Sequence, residues 1–112
     1  MTTNWRATGI SDRFIKEVVA YCSNHTAITR VVLFGSRARG DHSDRSDIDL
    51  AITTVNCSHT EQNLIALAVE EMTTPSKIDI LFTNRLQKEK LLANINKEGM
   101  IIYEQGQAVR KA

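Results

Sequence analysis

The sequence predicts an α/β or α+β fold, a mixed β-sheet of about four strands covered by helices. Residues 30–34, 47–54, 77–83 and 100–103 carry the β-branched or alternating pattern of strands. Between them lie stretches with apolar residues at helical spacing. With Pro75 as its only proline and no Gly/Ser-rich linker, the sequence offers no place to divide residues 1–112 into more than one domain.

Residues 1–10 are expected to be a loose arm. Ser11 or Asp12 then caps a helix whose apolar face is Phe14, Ile15, Val18, Val19 and Cys22, ending near Asn24. Val31, Val32 and Leu33 lie inside a buried strand that Gly35 stops. Residues 36–39 fit one helical turn, and 40–46 form a polar turn. From 47 to 54, Ile48, Leu50 and Ile52 take one face, and Asp47, Asp49 and Ala51 the other. Only about a dozen residues join the first two strands, so antiparallel or mixed pairing is expected. Ser58 and Glu61 make a capping box for a helix carrying Leu64, Ile65, Ala68, Val69 and Met72. In the strand over 77–83, Ile78, Ile80 and Phe82 share a face and Asp79 lies opposite. A last helix over 85–97 (Leu86, Leu91, Leu92, Ile95) stops at Gly99. Residues 105–112 are expected to fray.

Composition excludes several classes of function. The apolar fraction is 42%, the charged fraction 24% and the net charge +1. Direct, sequence-independent nucleic-acid binding needs a stronger basic field. Cys22 and Cys57 make neither a disulfide framework nor a zinc site. No apolar run is long enough to span a bilayer, and the start, Met-Thr-Thr-Asn-Trp-Arg, has no apolar stretch behind it. A cytoplasmic location without membrane attachment is the default expectation.

The chemistry is concentrated in residues 31–52. Gly35 lets the backbone turn sharply and an anion approach closely. Ser36 adds a hydroxyl at the start of the next turn, so the pair can cradle phosphates. Asp47 and Asp49 point to one face of an extended segment, with Cα atoms about 6.5–7 Å apart. Such a pair can hold one divalent ion or bridge two. Asp79, at the same phase of a later strand, enters the site if the two strands are neighbours. There it can complete a metal's shell or deprotonate an incoming hydroxyl. Arg37 either offers a guanidinium to brace a triphosphate or lies on the surface of the short helical turn.

Gly35-Ser36, ten residues, then Asp47-Ile48-Asp49 resembles the signature of the DNA polymerase β-type nucleotidyltransferase superfamily. It is similar in particular to the minimal nucleotidyltransferases (MNT) encoded beside HEPN-domain proteins in prokaryotic toxin–antitoxin pairs. The likeness covers about residues 30–103. Four fixed residues at this spacing arise by chance in on the order of one such chain in a thousand. The resemblance implies a nucleotidyltransferase fold, Mg-ATP as donor, one or two Mg2+ ions on Asp47, Asp49 and Asp79, and Gly35 and Ser36 on the nucleotide. It implies an antitoxin that transfers AMP to a tyrosine of its HEPN toxin, silencing the toxin's ribonuclease. Larger members add a helical domain for the acceptor. The sequence shows no room for one, so the nucleophile is expected from a partner chain or a second copy.

Two further readings stand beside this one. The chain neutralises a toxin by covering it, without catalysis, or it modifies a small molecule held by a separate substrate-binding subunit. Arg39 either braces phosphate, lies on the surface or faces a partner. His25, His42 and His59 read as surface, turn or capping residues, Cys57 as an inert thiol, and Arg85, Lys88 and Lys90 as a solvated helix face. Trp5 anchors either its own arm or a partner.

Overall fold

The computed structural model describes residues 5–72, 74–86 and 88–106. The first helix, α1 (Asp12–Ser23), starts where Ser11 accepts a hydrogen bond from the Phe14 N–H at 3.2 Å. This satisfies one of the donors that a helix start leaves orphaned. Phe14, Ile15, Val18 and Cys22 form its buried stripe, and Asn24 closes it.

The four strands are β1 (Ile28–Phe34), β2 (Ile48–Thr54), β3 (Ile78–Phe82) and β4 (Met100–Glu104). They form one mixed sheet in the order β3-β2-β1-β4. β1 is antiparallel to β2 and to β4, whereas β2 and β3 are parallel. A parallel pair needs a crossover. Here it is α3 (His59–Glu70), opened by the expected capping box: Ser58 Oγ accepts from the Glu61 N–H, and Glu61 Oε1 from the Ser58 N–H, both at 3.1 Å.

Strand alternation separates two cores. Val31, Leu33, Ile48, Leu50, Ile52, Ile78 and Phe82 pack with Phe14 and Val18 of α1 and Ile65 and Val69 of α3. On the opposite face Val32 and Ala51 pack with Ile95 of α4 (Glu89–Glu98), flanked by Phe34, Leu81, Leu86 and Leu91. Asp49 shares the phase of Ala51, and Asp79 that of Leu81. The carboxylates therefore lie on the α4 side, at the ends where β2 and β3 begin.

Several boundaries differ from the sequence reading. Within the supposed N-terminal arm, Trp5–Thr8 is a 3-10 turn, and Thr8 and Ile10 are buried. At the other end Gln105 is held, its N–H on the Thr29 carbonyl and its side-chain amide on the Thr26 carbonyl, each at 2.8 Å. The rest of that expected frayed end, from 107 onward, lies outside the described residues. The last helix starts at Glu89 rather than 85. Residues Thr83–Arg85 are instead a 3-10 turn that braces the sheet. Asn84 mimics a strand neighbour, accepting from the Thr54 N–H and donating to the Thr54 carbonyl, both at 2.8 Å. Arg85 lies over the Phe82 ring and donates to Gln62 Oε1 at 2.6 Å. Gln62 is buried and donates in turn to Thr54 Oγ1, while Leu64, expected in the core, is exposed. A polar clamp thus takes a helix position that periodicity assigns to an apolar residue. Among the described residues no helix is long and apolar enough to cross a membrane.

Gly99 does follow α4, but not in the left-handed conformation of a usual glycine stop: its φ is −71°. Any Cβ there would overlap the Ile95 carbonyl oxygen and Val32 Cγ1. Close approach of the helix end to β1, rather than backbone freedom, is what requires glycine. Gly99→Ala is therefore expected to destabilise the fold by about 1–3 kcal/mol through overpacking, read as a lower midpoint in urea unfolding.

Candidate functional site

The site begins at the end of β1. Gly35 has φ +78° and ψ −157°, a backbone conformation that L side chains avoid. It leads into the single turn α2 (Ser36–Arg39), closed by the Arg39 N–H on the Gly35 carbonyl at 3.0 Å. A second constraint acts on the same residue. The Asp49 carboxylate lies so close to Gly35 that any Cβ would overlap its Oδ2. The motif's two halves therefore touch.

Register explains the meeting. Asp49 is paired with Phe34 across β1 and β2, and with Asp79 across β2 and β3. Asp47 lies two residues earlier, at the same phase, with its carboxyl beside that of Asp79. The structure thus gathers Gly35, Ser36, Asp47, Asp49 and Asp79 at one end of the sheet.

Three carboxyl groups in one place disfavour ionisation. The hydrogen bond to Asp79, followed by desolvation and the Asp79 charge, raises the Asp47 pKa; the ammonium of Lys77 opposes this. Asp49 is raised mainly by desolvation, then by the charges of Asp79 and Asp47, against the Arg39 guanidinium. Lys77 Nζ lies 3.6 Å from Asp79 Oδ1, a solvent-exposed pair. Among the described residues, no group of three or more Asp, Glu, His or Cys side chains is arranged to hold a metal ion by itself. Any ion here would complete its shell with water or substrate oxygens, as magnesium commonly does.

Arg37 departs from its expected place on the phosphates. It is 3% exposed, and its guanidinium is already engaged by the protein. NH1 donates to the Thr8 carbonyl at 2.8 Å. Nε and NH2 donate to the Ser46 carbonyl at 3.2 and 3.0 Å, and NH2 also to Ser76 Oγ at 3.2 Å. Ser46 precedes Asp47, and Ser76 lies three residues before Asp79. The Ile48 N–H then bonds the Lys77 carbonyl at 2.8 Å. One guanidinium thus fixes both chain segments that deliver acids to the site. Neither Ser46 nor Ser76 carries a sequence signal for this role.

Other expectations resolve simply. Arg39 is exposed, with Nε 3.2 Å from Asp41 Oδ2 and NH1 3.8 Å from Glu98 Oε1. His42 is half-buried against Gly9 instead of fully solvated. Cys57 is partly buried against the main core. Burial pushes the Cys22 thiol up to about 12, which leaves it inert.

The family described as Polymerase beta, Nucleotidyltransferase matches residues 16–108. This chain belongs to that family. Solved structures agree on the fold. A chain from a crystal structure of a toxin–antitoxin with AMP-PNP has a TM-score of 0.59 and 18% identity, over 83% of this chain and 75% of that one. A Sulfolobus solfataricus protein described as a candidate nucleotidyltransferase has a TM-score of 0.55 and 18% identity, over 94% and 91%. No curated protein matches at a significant level. Gly35-Ser36 and Asp47-Ile48-Asp49 both lie within the matched residues, and Gly35 and Asp49 are in contact.

Two outcomes test this description. Lysine cannot reproduce the forked contacts of a buried guanidinium. Arg37→Lys should lower stability by about 2–3 kcal/mol, measured by denaturant unfolding. For the acids, a pKa raised by folding contributes stability that is complete below the unfolded value and is lost as pH rises through the folded value. Asp49→Asn should therefore raise the Tm of the metal-free protein near neutral pH. The gain should shrink as pH falls to about 4, the ordinary range of the carboxyl. A Tm advantage that grows on acidification would contradict the electrostatic account.

Proposed function

We propose that this protein is a magnesium-dependent nucleotidyltransferase that moves AMP from ATP to a tyrosine hydroxyl of a HEPN-domain toxin, acting as the antitoxin of the pair. The observation that carries the reading is the convergence of Asp47, Asp49 and Asp79 beside the Gly35-Ser36 turn. Family membership supports nucleotidyl transfer. The fold shared with a toxin–antitoxin chain crystallised with AMP-PNP supports both the donor and the setting.

The donor set suits a hard divalent cation. All its members are carboxylates, and the crowding that raises the Asp47 pKa is one that a cation would relieve. Asp47 and Asp49, with Asp79 beside them, would hold one or two magnesium ions. When bound, the metal supplies charge stabilisation for the attacking and leaving oxygens of an in-line displacement.

The chain's own residues do the rest. Gly35 turns the backbone sharply from β1 into α2 beside the acids, and Ser36 offers the triphosphate a hydroxyl donor. The acceptor oxygen forms a bond to the α-phosphorus as the bond to the bridging oxygen breaks, and pyrophosphate leaves. The acceptor's proton passes to Asp79, which stands beside the other two acids at the start of β3. Arg37 acts as a positioning residue, holding the segments that carry Asp47 and Asp79 at a fixed separation.

Mutation separates this from neutralisation by binding alone. With α-labelled ATP, magnesium and the partner toxin, the wild-type chain should label the toxin. Asp47→Asn with Asp49→Asn should reduce labelling by about 10²–10³-fold, abolish neutralisation and leave the complex intact. Full neutralisation by the double variant would defeat the catalytic account. Label confined to small molecules would point to an acceptor other than protein.

A further inference from the structure

A cleft of about 180 Å³ opens beside the motif, between the end of β1, the α2 turn and α4. Phe34, Leu91 and Ile95 supply apolar lining, with Gly35 at one end. Its remaining lining is polar: Arg39, Asn94 and Glu98. Arg39 and Glu98 approach to 3.8 Å across it. The cleft is continuous with the site at two points. Gly35 is shared between the cleft and the motif, and it is in contact with the Asp49 carboxylate. Arg39 belongs to the turn that Gly35 begins.

The geometry points to this cleft as the subsite for the nucleobase, selecting a base that presents an exocyclic amino group. The assignment rests on the nucleotidyltransferase reading and adds the specificity that reading lacks. Its logic is chemical. A small apolar slot with an aromatic member suits a flat heterocycle, and stacking on an aromatic side chain tolerates any base. The polar members supply selection. The Glu98 carboxylate only accepts hydrogen bonds, and the Asn94 amide both donates and accepts. Carboxylates accept from amino groups on base edges, and an asparagine amide can pair with the amino and ring nitrogens of adenine. A keto oxygen placed against Glu98 is repelled. Arg39, already engaged with Asp41 and Glu98, is held in place as part of this polar edge.

The test compares Mg-ATP, Mg-UTP and magnesium tripolyphosphate, which has the phosphates but no base, by calorimetric titration. Wild type should bind ATP about tenfold or more tightly than UTP or tripolyphosphate. Phe34→Leu keeps apolar volume and removes the ring. It should weaken ATP about tenfold and leave tripolyphosphate unchanged. Glu98→Gln, at a solvent-exposed position, should narrow the gap between ATP and UTP by several-fold with tripolyphosphate again unchanged. Equal losses for ATP and tripolyphosphate would make the cleft a phosphate site and overturn the proposal. So would variants that bind ATP like wild type, or a wild type that does not distinguish ATP from UTP. A wild type that binds none of the three would remove the nucleotidyltransferase reading itself, an outcome distinct from loss of base selection alone.

Discussion

The structure depends on a buried cation that never needs to meet a substrate. The Arg37 guanidinium joins the Thr8 carbonyl, the Ser46 carbonyl and the Ser76 hydroxyl, three points far apart in sequence. A buried charge is tolerable only when its donors are satisfied, and a fork of N–H groups is the side-chain shape best suited to several acceptors at once. The acceptors are backbone and hydroxyl oxygens, and among the described residues no carboxylate pairs with the guanidinium. It stands behind a cluster of acids and holds their segments together from the protein side.

That cluster is internally opposed. Desolvation and mutual repulsion raise Asp49, and the carboxyl contact with Asp79 raises Asp47. A sheet built for stability alone would not bring Asp49 opposite Asp79 while seating it on a glycine. Strained or electrostatically unfavourable arrangements of this kind are where functional sites are commonly found. The cost is borne by two well-packed faces of one sheet, the larger beneath α1 and α3, the smaller beneath α4.

Much of this was legible in residue order. Alternation placed Asp47 and Asp49 on the face opposite Ile48 and Leu50, and the β2–β3 pairing then delivered Asp79. The helix starts at Ser11 and Ser58 followed from side-chain chemistry confined to a few residues. What periodicity missed were long-range polar substitutions for apolar packing. Asn84 ends the sheet by imitating a strand, Gln62 takes a core position by bonding Thr54 and Arg85, and Leu64 is left in solvent. Arg37 was misplaced for the same reason. Its neighbours in sequence suggest a phosphate, while its partners in space, Thr8 and Ser76, are 29 and 39 residues away.

The contact between Gly35 and Asp49 has a wider consequence. Because the acid occupies the volume a methyl group at position 35 would need, a change at either residue constrains the other. A chain drifting from this sequence cannot enlarge residue 35 while residue 49 stays in place. Shrinking residue 49 would open the space but remove an acid. The passage between functional alternatives is therefore closed to single steps at this pair, and its history should be read jointly rather than site by site.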